Sequence, residues 1–326
     1  MIVRWGLDSL PEACAEAGVS SPLLVAGPRW DSLELPVELA GRWQEVPSDR
    51  IGEAVAATNG ADGVLAVGGG SAIDLGKAIS AATGLPLVSV PTTYAGAEWT
   101  SYFGVRDPRR RMRGGGGGAH PVAIVYEPQL TLELPAETTV GTAMNALAHC
   151  AEALYVQGHN PAADEHALAG ARLISEWLPR VVAGPSDREA RTELLRGACH
   201  GGAALAGSML ALAHAMAQAV GGRYGLPHGT LNGICLPPVL RFNTAFASDA
   251  VARFGEAIGD PGDPGDPGGR VESLAALAGP TRLGALGVPE ADLPEVAADA
   301  AGRGGNLANP KPASPDVIEQ LLRDVY

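Results

Sequence analysis

The sequence predicts an α/β protein in two parts, an N-terminal Rossmann-like, mostly parallel sheet domain and an all-helical C-terminal domain. Three observations carry this. Over the first third of the chain, short apolar runs alternate with amphipathic helical stretches, as the strand–helix–strand repeats of a parallel sheet require. After about residue 135, alanine-rich segments of helical period take over. The length of 326 residues, with 46% apolar and 18% charged, supports two domains with sizeable cores and argues against global disorder. The expected division is 1–135 for the sheet domain and 136–326 for the helical one, with a cleft between them.

The elements follow in order. "SPLLVAG" (21–27) reads as a buried strand, the first of the sheet. "SDRIGEAVAATNGA" (48–61) reads as a helix opened by a Ser48 or Asp49 cap. "DGVLAVGGG" (62–70) is a strand running into glycines, "SAIDLGKAISAAT" (71–83) a helix and "LPLVSVPTT" (85–93) another strand. "VAIVYEP" (122–128) closes this half as its final strand. Helical patterns then cover 137–157, 161–182, 187–221, 228–246, 271–280 and 314–325. Two tracts, "RGGGGG" (113–118) and "DPGDPGDPGG" (260–269), are expected to be loops without chemistry, because glycine adds backbone entropy and proline removes donors. The basic run "RDPRRRMR" (106–113) reads as a solvated loop.

Whole-chain properties exclude several functions. A net charge of −13 opposes binding to nucleic acid or an anionic membrane, which both need basic patches. No uncharged run reaches the roughly 18 apolar residues of a membrane span. Cys14, Cys150, Cys199 and Cys235 form no C-x-x-C pair, so neither a zinc finger nor a disulfide framework is suggested. "MIVRWGLDSLPEACAEAG" lacks a basic segment before an apolar run and is expected to be mature sequence. The expected compartment is the cytoplasm, with reduced thiols.

Two stretches carry chemistry. In "VLAVGGGSAIDLGKAIS", Gly68, Gly69 and Gly70 let the backbone approach a ligand, and Ser71 opens a helix whose N-terminus attracts anions. Neither common phosphate fingerprint is present, and the bland reading is a tight strand-to-helix turn. The second is a set of histidines. Asn145 and His149 are four residues apart and share a helix face. His214 lies in a helix over 205–221, and the turn signals before His228 could fold it back towards His214. Single histidines on apolar helices are usually structural; a metal site and a proton-handling site are the sharper readings. Cys150 beside His149 is no thiol–imidazole pair, since adjacent helix residues do not face each other. Ser208 lacks a nucleophile elbow.

"GGGSAIDLGKAIS", "PTTYAGAEWT", "NALAHCAEALY", "PHGTLNGICLPPVLRFN" and the late "NPKP" together resemble the iron-containing (group III) alcohol dehydrogenase superfamily, whose fold is dehydroquinate synthase-like. The maleylacetate reductase branch is nearest. The resemblance implies NADH or NADPH as hydride donor, with Gly68, Gly69, Gly70 and Ser71 holding the pyrophosphate and Thr92, Thr93 and Tyr94 lining the nicotinamide side. It implies catalytic roles for His149, His214 and His228, with Asn145, Tyr94 and Gln218 beside them. Asn145 stands where metal-binding members carry an aspartate, so no metal is favoured; if one bound, Asn145, His149, His214 and His228 would be its ligands. Gln218 stands where both branches carry a proton-relay histidine, and it cannot titrate. Asp74 matches the alcohol dehydrogenases better.

Cofactor choice stays open: Gly27 sits where an acidic residue would meet an adenosine ribose, and Arg29 could contact a 2′-phosphate or be a surface arginine. The expected function is NAD(P)H-dependent reduction of a small polar enoate or carbonyl substrate, by a homodimer. The alternatives are a metal-dependent alcohol dehydrogenase and, motivated by Gln218, a synthase, cyclase or isomerase without net redox chemistry.

Overall fold

Six short strands build the sheet of a computed structural model that describes residues 1–259 and 266–326. The chain forms two units: Met1–Thr93 with Ala97–Thr131, and Tyr94–Gly96 with Leu132–Tyr326.

The first unit contains β1 (Ile2–Trp5), α1 (Leu10–Glu16), β2 (Leu23–Val25), β3 (Gly41–Trp43), α2 (Ile51–Ala56), β4 (Val64–Gly68), α3 (Gly70–Thr83) and β5 (Leu87–Pro91). β6 (Phe103–Arg106), β7 (Met112–Gly116) and β8 (Pro121–Tyr126) complete it. The main sheet runs β1-β8-β5-β4-β2-β3, every pair parallel. Its inner strands β2 and β4 read as unbroken apolar runs because both their faces are covered. Leu65 and Val67 of β4 pack with Leu10 and Cys14 of α1, while Val64 and Ala66 pack with Ala54 of α2 and with Ile73 and Ile79 of α3. β4 and β5 lie side by side and end level, Gly68 opposite Pro91. Their outgoing loops are thereby brought together at the carboxyl edge, where ligands bind in such sheets.

Three expectations need correcting here. "SPLLVAG" is the second strand, since β1 precedes it as an edge strand on β8, and β3 was also missed. These strands have only four and three residues, too short for alternation to register. The α2 cap is Arg50, without a side-chain cap; Ser48 Oγ instead accepts from the Arg50 amide, 3.2 Å away. "RGGGGG" is not a loop. Its first residues form β7, paired antiparallel with β6, and Gly116 leaves room for the Phe103 ring, which a Cβ would approach to 2.8 Å. The basic run is the turn of that hairpin, folded around Asp107, which accepts from the Arg111 amide and the Arg113 guanidinium.

The second unit has helices and no strand among its described residues. They are α4 (Ala136–Tyr155), α5 (Pro161–Ala183), α6 (Arg188–Ala206), α7 (Leu212–Tyr224), α8 (His228–Thr244), α9 (Ser248–Ile258), α10 (Pro267–Ala275), α11 (Leu293–Ala301), α12 (Gly304–Ala308) and α13 (Pro315–Asp324). α4 is the central helix, buried almost throughout. α8 starts hard against it: a Cβ on Gly229 would overlap the Gly141 carbonyl oxygen.

The pattern over 187–221 is two helices, because Gly207–Ala211 breaks it and α7 restarts at Leu212. "DPGDPGDPGG" divides differently. Residues 260–265 lie outside the described residues, while Pro267, Gly268 and Gly269 open α10, which also starts and ends earlier than 271–280. Proline is tolerated in a first helical turn, and the Asp266 carboxylate accepts from the Gly268 amide.

Candidate active site

A buried carboxylate fixes one of the second unit's histidines. Glu152, fully buried on α4, accepts from the amides of Ala211 (2.7 Å) and His214 (3.1 Å). It thus caps the N-terminus of α7, which has no side-chain cap of its own. The same carboxylate takes Nδ1–H of His214 at 2.6 Å. Both backbone and ring of His214 are therefore fixed by one residue, and its Nε2 is left buried with no protein partner.

The three imidazoles converge. His149 stacks on His214 with ring centroids 4.9 Å apart and planes 13° from parallel. His228, the first residue of α8, lies 5.5 Å from His214, tilted by 52°. Burial, with the neighbouring His214 and His228, holds His149 well below the ordinary histidine pKa, so its ring is neutral. Its Nδ1 is buried and without a protein partner. Gly96, at φ 75°, passes beside it, and a Cβ there would come within 3.4 Å of that nitrogen. Buried polar atoms without partners are rare in proteins. Two of them sit on stacked rings here, which singles the cluster out as the candidate site.

Two amides complete it. Asn145 Nδ2 donates to the Ala95 carbonyl (2.8 Å) and lies 3.3 Å from His149 Nε2. Asn232, fully buried one turn into α8, puts its Nδ2 2.5 Å from Asn145 Oδ1 and 3.1 Å from His228 Nε2. This decides how well the donor set suits a divalent cation. The Glu152 carboxylate is already engaged by His214. The ring nitrogens of His149 and His228 nearest Asn145 and Asn232 face N–H groups. Among the described residues, no group of three histidine, cysteine or acidic side chains could hold a metal ion. The set does not fit such an ion.

The other expected residues fall as follows. Tyr94 is fully buried, its hydroxyl taking a hydrogen bond from Arg191 at 3.3 Å. Gln218 lies one turn beyond His214 on α7 and accepts from Arg303 at 3.5 Å. In the first unit, Gly69 caps α3, whose first residues are Gly70 and Ser71, and a Cβ on Gly69 would meet Thr93 Cγ2 at 2.8 Å. Thr92 donates its amide to the Gly68 carbonyl at 3.0 Å. Asp74 holds the β6–β7 hairpin: it pairs with Lys77 at 3.0 Å and accepts from the Gly104 amide. Arg29 is exposed and lies over the Trp30 ring.

Sequence reasoning missed Glu152, Asn232 and Gly96. Each left a trace: an acidic residue inside an apolar helix, an asparagine four residues after His228, and the glycine of "PTTYAGAEWT".

Residues 4–128 match the family described as iron-containing alcohol dehydrogenase, and residues 139–326 match its C-terminal counterpart. The chain belongs to the iron-containing alcohol dehydrogenase family. Within it, the similarity is to maleylacetate reductases. That of Burkholderia cepacia is 38% identical over 90% of this chain and 80% of its own length. Maleylacetate reductase 1 of Cupriavidus pinatubonensis is 34% identical over 98% of this chain and 92% of its own. The solved maleylacetate reductase of Agrobacterium tumefaciens is 30% identical with a TM-score of 0.89, covering 100% of this chain and 95% of its own. This member of the family is an oxidoreductase of the maleylacetate reductase branch.

Proposed function

We propose that the protein reduces a small, polar, carboxylated enoate or carbonyl compound of the maleylacetate type, using NADH or NADPH and no divalent metal. The observation that carries this reading is the Glu152–His214 hydrogen bond, which leaves His214 Nε2 open beside the neutral ring of His149.

The first-turn amides of α3 and the narrow Gly68–Ser71 turn suit a pyrophosphate. The bound nicotinamide would supply the hydride. The rest falls to the chain's own groups. Reduction of an enoate builds negative charge on the conjugated oxygen, which calls for preorganised N–H donors. His149 meets this need from Nδ1. The reduced product then needs one proton. His214, protonated on Nε2 and backed by the Glu152 carboxylate, delivers it and is left neutral. Glu152 keeps the ring in one orientation while this happens. Gln218 takes no proton in this scheme. In the same reading the protein is a cytoplasmic homodimer that pairs through the β1 edge of the sheet.

The test is turnover with NADH and with NADPH on maleylacetate-type substrates, before and after chelation and alongside elemental analysis. Activity that survives chelator in metal-free protein is expected. Stoichiometric zinc or iron with chelator-sensitive activity would show a metal enzyme instead.

A further inference from the structure

We propose that Asn145 and Asn232 form an amide clasp that fixes His149 and His228 as Nδ1–H tautomers, making Asn232 a positioning residue of this site. The inference rests on the reading above only for its use in catalysis. The hydrogen bonds themselves do not depend on it.

One group in this network has a fixed role. The Ala95 carbonyl only accepts, so the Asn145 atom 2.8 Å from it must be the amide nitrogen. That assignment turns the Asn145 oxygen towards Asn232. The Asn232 atom 2.5 Å from this oxygen must then be its own nitrogen, because two oxygens would repel. Each amide nitrogen has two hydrogens. Those of Asn145 go to Ala95 and to His149 Nε2, and those of Asn232 go to Asn145 and to His228 Nε2. All four are used. Both Nε2 atoms therefore accept, and each neutral ring must carry its hydrogen on Nδ1.

The arrangement is reciprocal. On α4 the asparagine comes four residues before its histidine, and on α8 four residues after it. Either pair shares one helix face, and the amide–amide bond ties the two helices together. The clasp occupies the nitrogens a cation would need. It also turns the His149 hydrogen to the buried Nδ1 beside Gly96, where the ring can donate. His214 lies outside the clasp, with its tautomer set by Glu152. The three rings thus divide into two fixed in one tautomer by amides and one fixed by a carboxylate.

The test is long-range proton–nitrogen NMR of the full-length protein with 15N-labelled histidine, at about pH 8, where ordinary histidines are neutral. His149→Gln and His228→Gln supply the assignments. Both rings should show a protonated Nδ1 and an unprotonated Nε2, and Asn232→Asp should move the His228 hydrogen to Nε2, since a carboxylate only accepts. A protonated Nε2 on either ring of the unmodified protein overturns the proposal. So does an Asn232→Asp spectrum in which His228 is unchanged. Should that variant not fold, the unmodified protein still decides. No substrate or cofactor is present, so failure of the reductase reading leaves this result untouched.

Discussion

Glu152 Oε2 lies 2.6 Å from His214 Nδ1, and the other oxygen of the same carboxylate accepts the His214 amide. One side chain from α4 therefore starts α7, orients the ring and sets its tautomer. Glu152→Gln should lower kcat by on the order of 10²–10⁴-fold, by analogy with carboxylate–histidine pairs elsewhere. KM should move far less. The accompanying loss of stability should be about 1–3 kcal/mol, because a buried charge-assisted bond is replaced by a neutral one. Steady-state kinetics and denaturant unfolding on the same sample check both. Unchanged kcat would remove His214 from proton transfer.

The buried His149 sets a pH dependence. Its folded-state pKa is depressed by burial and by the two neighbouring histidines. Below the ordinary histidine value of about 6.5, the unfolded chain takes up a proton that the folded ring resists. Stability from this group is thus present above about pH 6.5 and falls as the solution is acidified, by at most about 1.4 kcal/mol per pH unit. Unfolding curves at neutral and mildly acidic pH should show the fall, and His149→Asn should flatten it. An equal slope in the variant would contradict the assignment.

Asn145→Asp changes the donor set of the site. A carboxylate there faces the Ala95 carbonyl oxygen and His149 Nε2, acceptors that the amide now satisfies. A divalent cation relieves that repulsion. Titration calorimetry with Zn²⁺ should detect binding to the variant at least tenfold tighter than to the unmodified protein. Equal affinities would mean that Asn145 does not control metal binding.

Gly69→Val tests the phosphate loop. The added Cβ would run into Thr93 Cγ2, so the start of α3 must shift. Dinucleotide affinity should fall by roughly tenfold or more, as the first-turn amides lose their alignment. Fluorescence titration with NADH and NADPH measures it, and undiminished affinity would take this loop out of the cofactor site.

Gly96→Ala tests the passage beside His149. A left-handed φ of 75° costs a non-glycine residue about 1–2 kcal/mol, and the methyl group would stand 3.4 Å from His149 Nδ1. Turnover should drop by about tenfold or more while the protein stays folded. Full activity would show that nothing approaches His149 from that side.

The sequence by itself determined the fold class, the glycine turn after β4, most helices of the second unit and the three histidines that converge. These were legible because they rest on local rules: unbroken apolar runs for covered strands, helical periodicity, and i,i+4 spacing on one face. It also placed the chain in its family, since motifs in a fixed order are a property of sequence. Tertiary structure alone decided the rest. Nothing near Ala211 in the chain says that α7 restarts there, because its cap is a carboxylate from α4, 59 residues earlier in sequence. Gly114, Gly115 and Gly116 form a strand only because β6 supplies their partners. Asn232 reads as an ordinary helix residue until Asn145 is brought to its amide nitrogen from a helix 87 positions away. Caps, strand partners and hydrogen-bond donors supplied from distant segments have no local signature. They exist only once packing has set the distances.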